Sequence, residues 1–304
     1  MMVREEQREL VRRAFPGCTV LGASPLQGGI SSQATRFDVL LPDGQEKRVV
    51  VRTPRGTGEG AIASAAAEYE VLCLVRRFGI AAPVPRLVNE LGDMLVLDYV
   101  DGAPELSTPA DSASLQRMAE ELARIHAISA EDGKLPFLAN RWRSVEAMLA
   151  STPAELDRSL DEEGVRRALA SAWPWPRKNR SVLLHGDYWP ANVLWKEGRL
   201  TAVIDWEEAE TGDPLADVSV SRLDILWAFG FAAMEEFTRA YARVTNIDWS
   251  TLPVWDLVAA MRPMGNLARW ASSYALPPVS RPDIDEAAMR RGHRDFVARA
   301  LSVR

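Results

Sequence analysis

The chain is poor in several residue types. Across 304 residues it carries two cysteines, Cys18 and Cys73, three histidines and four lysines, at Lys47, Lys134, Lys178 and Lys196. Two cysteines without metal-ligand spacing argue against a disulfide framework and make the reducing cytoplasm the expected compartment. His126, His185 and His293 do not cluster in sequence, which disfavours a histidine-rich zinc hydrolase. No apolar run is long enough to span a membrane. The first residues, Met1-Met2-Val3-Arg4-Glu5-Glu6-Gln7, lack the apolar centre of a secretion signal, so no membrane partner is expected. A net charge of −6 speaks against nucleic acid as a partner, because phosphate backbones demand a basic surface. The shortage of lysine leaves arginine to supply nearly every cation.

What is there suffices for a globular protein. With 47% apolar residues the chain can bury a sizeable core, and its length allows two subdomains. Glu5 to Phe15 has the spacing of a short amphipathic helix. Cys18 to Leu21, Thr35 to Leu41 and Arg48 to Arg52 are β-rich, and Pro42-Asp43-Gly44 joins the last two as a hairpin. Ala61 to Phe78 reads as a helix closed by Gly79, and Met94 to Val100 as a buried strand. Asp101-Gly102-Ala103-Pro104 marks a boundary, dividing residues 1–100 from 101–304. Beyond it helices are expected near Leu115–Ile125, Arg141–Leu149, Pro153–Ala172, Val218–Gly230, Met234–Val244, Leu257–Ala271 and Glu286–Leu301. A β-rich first part joined to a helical second part is an α+β, two-lobe plan.

The most informative stretch is His185-Gly186-Asp187-Tyr188-Trp189-Pro190-Ala191-Asn192, followed by Val203-Ile204-Asp205-Trp206. Val193 to Trp195 and Leu200 to Ile204 read as strands around the turn Lys196-Glu197-Gly198-Arg199. Asn192 enters that hairpin where Asp205 leaves it, so antiparallel pairing brings both to its open end. An amide oxygen and a carboxylate there suit a hard cation such as Mg²⁺, which fills its remaining positions with water or phosphate. Asp187 is left to handle a proton. Together these are the parts of a phosphoryl-transfer site.

The pattern H-x-D-x-x-x-x-N followed by a strand ending in Asp resembles the catalytic and metal-binding loops of the protein-kinase-like fold. His185-Gly186-Asp187, Asn192, Ile204-Asp205-Trp206 and Gly212-Asp213-Pro214 with Asp217 narrow the resemblance to the aminoglycoside phosphotransferase and choline kinase branch of small-molecule kinases. It is dense over residues 181–220, ordered but weaker over roughly 20–130, and faint after 225. Gly186 and Trp206-Glu207 depart from the protein-kinase wording, which has Arg and Phe-Gly there.

The resemblance implies a β-rich nucleotide-binding N-lobe and a mostly helical C-lobe with the catalytic loop. The expected cofactors are ATP or GTP with Mg²⁺, and the expected partner is a small molecule bearing a hydroxyl. It assigns Asp187 as catalytic base, Asn192 and Asp205 as metal ligands, and His185 and Asp217 as supports of the loop. Gly28, Gly29, Ser31 and Ser32 would cover the nucleotide phosphates, although paired glycines equally fit a plain hairpin turn. The third strand ends Val49-Val50-Val51-Arg52, with no Lys at its end. Strand alternation sets Val50 and Arg52 on one face, so Val50 would line the base pocket and Arg52 reach the phosphates. Glu68, which shares a helix face with Leu72 and Val75, is the expected partner of Arg52, the alternative being two solvated charges. Asp98, Tyr99 and Val100 would form the hinge beside the purine.

Trp189, Glu207, Asp224, Trp227 and Trp270 are candidates for the acceptor pocket. Acidic and aromatic groups there suit a cationic acceptor, yet they equally fit a solvated loop and a tryptophan core. A nucleotide-binding pseudokinase without turnover is the competing reading, motivated by Arg52 and the incomplete glycine motif. Intact Asp187, Asn192 and Asp205 count against it.

Overall fold

The computed structural model describes residues 4–26, 32–54, 59–131 and 135–303; for Ser32, Pro54 and residues 59–64 it describes the backbone alone. The chain divides into two compact units. Met1–Ala103 and Leu194–Glu207 form the first, Pro104–Val193 and Glu208–Arg304 the second.

In the first unit, helix α1 (Glu5–Ala14) precedes strands β1 (Thr19–Pro25), β2 (Ser32–Leu40) and β3 (Glu46–Pro54), helix α2 (Glu59–Arg77), then β4 (Pro85–Val88) and β5 (Leu95–Asp98). The five strands form an antiparallel sheet in the order β1-β2-β3-β5-β4. Valine repeats drive this arrangement, because β-branched side chains pack well on a pleated surface. Val49 and Val51 of β3 are fully buried with Phe37, Val39 and Val96 against Leu10 and Val11 of α1. Their neighbours Val50 and Arg52 therefore lie on the opposite face. In α2, Val71, Leu72 and Val75 are buried, and Glu68 is buried with them. The short strand β6 (Ala103–Pro104) lies beside the hairpin formed later by β9 (Val193–Lys196) and β10 (Arg199–Val203). That hairpin turns on Glu197 and Gly198, both at positive φ, which matches the twist of paired strands.

The second unit begins with α3 (Ser112–His126), β7 (Ala139–Asn140) and α4 (Arg141–Ala150). Next come α5 (Glu162–Ala172), β8 (Val182–Leu184), β11 (Glu210–Gly212) and helices α6 (Leu215–Phe229), α7 (Phe231–Val244), α8 (Leu252–Ala260), α9 (Leu267–Tyr274) and α10 (Glu286–Ser302). β11 pairs in parallel with β7 and antiparallel with β8. Helix α6 is buried on nearly every face, as expected of a helix at the centre of its unit. Its polar residues are all the more informative, since each buried polar group needs a partner.

Two expected helices differ from those observed. Residues 153–161 are not α-helical: Asp157 caps a 3₁₀ turn over Arg158–Leu160, and Asp161, at φ 51°, caps α5 by accepting from the Gly164 N–H. Each short cap competes with helix for the same backbone N–H groups. The run 257–271 is broken between α8 and α9, where Pro263 has no N–H and Gly265 adopts φ 70°. Among the described residues no helix is long and apolar enough to cross a membrane.

Candidate active site

Strand β8 delivers the chain into His185-Gly186-Asp187, and α6 holds that loop from behind. Asp217, in the first turn of α6 and fully buried, accepts from the N–H of His185 at 2.6 Å and of Gly186 at 2.9 Å. The Nε2 of His126, on α3, lies 3.1 Å from the same carboxylate, and its Nδ1 lies 2.6 Å from the Tyr241 hydroxyl. Burial works against the charge on Asp217, but the hydrogen bonds from His126 and from the N–H of His185 outweigh it and hold the group below the usual carboxylate range. His185 is itself buried, and its Nδ1 accepts from the Asp187 N–H at 3.3 Å. It supports the loop.

Asp187 is thereby presented on a backbone fastened at three successive residues. Its Oδ2 accepts from the Asn192 side-chain N–H at 2.9 Å, and its carbonyl accepts from the same amide at 2.8 Å. With the Asn192 nitrogen so committed, the oxygen Oδ1 is the atom left for a cation. On the other carboxylate oxygen of Asp187, Arg262 donates at 2.6 Å. Arg262 was not among the expected site residues, because helical periodicity made it an interior position of one long helix. The break after α8 brings its guanidinium to Asp187.

In the first unit a second charged cluster forms around Arg52. Its guanidinium donates to Glu68 of α2, to Asp205 at 2.6 Å and to Glu207 at 2.8 Å. The pairing with Glu68 follows the face expected from sequence. Burial alone would lower Arg52, but the three carboxylates raise it above its ordinary value. Glu68 is pushed up to about 7, by burial first and then by Asp205 and Glu207, against the pull of Arg52. One guanidinium cannot offset three carboxylates in a dry site. Asp205 sits at φ 68°, a conformation tolerated by Asp but rare for non-glycine residues, and such positions concentrate at functional sites.

The other candidates are placed as follows. Val50 is buried and faces the Arg52 side of the sheet. Asp98 ends β5; its carboxylate binds Lys47 at 3.0 Å and Arg86 at 2.8 Å, while its N–H and that of Tyr99 bond to the carbonyls of Val84 and Arg48. Val100 follows directly after Tyr99. Gly28, Gly29 and Ser31 lie outside the described residues, as does the side chain of Ser32. Glu207 joins the Arg52 cluster. Asp224 is buried on α6, accepts from the Tyr274 hydroxyl at 3.1 Å and lies 3.7 Å from Arg262. Trp189 packs on Tyr274, Trp270 lies beneath the Arg262 guanidinium, and Trp227 is buried with its N–H on the Met289 carbonyl.

A family model described as the phosphotransferase enzyme family (APH) matches residues 22–260. The chain belongs to that family. Among its relatives, Acyl-CoA dehydrogenase family member 11 of Homo sapiens is 24% identical over 218 residues, covering 60% of this chain. The match spans 28% of that relative's own length. Hygromycin-B 4-O-kinase of Escherichia coli is 27% identical over 287 residues, covering 86% of this chain and 80% of the relative. Among solved structures, the macrolide 2'-phosphotransferase MphH from Brachybacterium faecium superposes with a TM-score of 0.64 at 21% identity, covering 97% of this chain and 98% of that protein. That likeness is one of fold, and it agrees with the kinase-like α+β fold expected from the motifs.

Proposed function

We propose that the chain transfers the terminal phosphoryl group of ATP or GTP, with Mg²⁺, to a hydroxyl of a small molecule. One observation carries the reading: Asp187 is held by Asn192 on a loop whose successive N–H groups are tied to Asp217 and His185. A proton acceptor that must be positioned before it acts needs such a constraint. Asp187 orients the acceptor hydroxyl and takes its proton as transfer proceeds, positioning being the larger part of its contribution because the transition state is loose. Arg52, aimed by Glu68, holds phosphate oxygens. Val50 lines the base pocket beside the hinge residues Asp98, Tyr99 and Val100. Gly28, Gly29, Ser31 and Ser32 cover the phosphates.

Asn192 and Asp205 are the proposed Mg²⁺ ligands. The donor chemistry supports the fit. The Arg52 cluster carries three carboxylates for one guanidinium, and Asn192 has its oxygen to offer. Among the described residues no group of three or more His, Cys, Asp or Glu forms a metal cluster alone. Mg²⁺ needs none, since one or two protein oxygens plus phosphates and waters complete its shell. When bound, the ion would neutralise charge on the transferring phosphates.

Relatives named for hygromycin B and viomycin support an antibiotic hydroxyl as one acceptor class, alongside sugars and amino alcohols. Purified protein with Mg²⁺ and ATP or GTP is expected to consume nucleotide and yield a phosphorylated product with at least one member of such a panel. Asp187→Ala is expected to lower that rate by about 10²–10⁴-fold. Metal-dependent nucleotide binding with no product from any acceptor would make the chain a pseudokinase instead.

A further inference from the structure

Arg262 lies in the segment where α8 has ended and α9 has not begun. Its Nη2 is 2.6 Å from Asp187 Oδ1 and 3.4 Å from Glu208 Oε2, and its Nη1 is 3.7 Å from Asp224 Oδ2. The guanidinium carbon stands 5.5 Å from the centre of the Trp270 ring. Carboxylates on one side and an indole face on the other are the surroundings that select an organic cation from solution. Here the chain supplies that cation itself. Arginine stays charged at any working pH, and Asp187, Glu208 and Asp224 hold this one above its ordinary value despite its burial. Asp224 is pushed the other way, up to about 7, chiefly by burial and with smaller contributions from Asp187 and Glu208. The three carboxylates still outnumber the one guanidinium, so what Arg262 does beside Asp187 is occupy the cation's position. Arg262 also lines a cavity of about 200 Å³ whose walls are largely apolar, among them Val145, Met148, Val220 and Met261, with Arg141 and Ser144 as its other polar residues.

We infer that Arg262 is a specificity-determining residue: its guanidinium fills the place beside Asp187 that an acceptor's amino group would take, so hydroxyl compounds uncharged or anionic next to the reacting group are used in preference to their amines. This inference rests on the kinase reading of Asp187. The ion pair leaves Asp187 able to receive a hydroxyl, since each carboxylate oxygen accepts more than one hydrogen bond.

Two measurements test it. In the first, kcat/KM is compared for matched acceptors that differ by one amino group, such as a sugar and its amino sugar or a diol and its amino alcohol. Wild type is expected to favour the amine-free member at least tenfold. Arg262→Ala is expected to move that ratio toward the amine by tenfold or more, and Arg262→Lys to stay near wild type. The second needs no turnover. Methylguanidinium titrated into Arg262→Ala is expected to raise its melting temperature saturably, with no such effect on wild type. Arg262→Gln, which keeps a donor toward Asp187 while losing the charge, serves for the same titration if the alanine variant does not fold. Wild type selecting the amine, or the variants taking up no methylguanidinium, overturns the inference. Absence of product from every acceptor would count against the kinase reading, and the titration would still decide the role of Arg262.

Discussion

Gly186 shows how narrowly a single residue is constrained here. It adopts φ 84°, and a Cβ at that position would run into the carbonyl oxygen of Glu208 and crowd the Glu208 side chain. Both the left-handed backbone and the close approach demand glycine. Gly186→Ala is therefore expected to lower the melting temperature and to shift Asp187, with turnover falling by about 10²-fold as for other small misplacements of a reacting group. Unchanged kinetics in a folded Gly186→Ala protein would disprove this account. At the same scale, spacing and the resemblance it carries picked out Asp187, Asn192 and Asp217, which hydrogen bonds gather around one loop. Glu68 was legible from helix period, since it shares a face with Leu72 and Val75. His126 is buried. Its bond to Asp217 was invisible, because α3 and α6 are far apart in sequence and only packing brings them together.

Helices of the second unit show what an element-scale reading can and cannot see. α6 was legible from apolar spacing, yet its buried polar residues take partners from three directions. Ser221 binds the Tyr188 carbonyl at 2.7 Å, Arg222 grips Asp256 at 3.1 Å through two nitrogens, and Asp217 holds the loop. α8 is anchored by Trp255, fully buried, with its ring 5.1 Å from Trp142 and 5.5 Å from Trp175. Trp255→Ala opens a cavity there and is expected to cost about 3–5 kcal/mol of stability. Urea unfolding followed by circular dichroism would measure this, and a loss below about 1 kcal/mol would show that the tryptophans do not pack as a unit. The separation of α8 from α9 could have been suspected from Pro263 and Gly265. Apolar periodicity runs through both and conceals it.

At the scale of the whole molecule, pH dependence reports the excess of carboxylates around Arg52. Folding raises Glu68 to about 7, so between the ordinary carboxylate range and neutrality the folded state binds a proton that the unfolded chain has released. Stability contributed by that proton is present at low pH and is lost as pH rises toward 7. Asp224, also raised to about 7, acts with the same sign. Wild type is accordingly expected to be more stable at pH 5 than at pH 8 relative to Glu68→Gln, by roughly 1–3 kcal/mol. Melting temperatures of both proteins across that range would test it, and parallel curves would refute it.

By itself, the sequence determined the strand-rich beginning, the helical remainder and the order of the motifs, because local periodicity, turn residues and short spacings are properties of neighbouring residues. Tertiary structure alone decided that Glu207 joins Arg52, that His126 reinforces Asp217 and that Arg262 reaches Asp187 from 75 residues away. Such contacts depend on where separate elements come to rest, and an isolated arginine carries no local mark of the carboxylate it will meet.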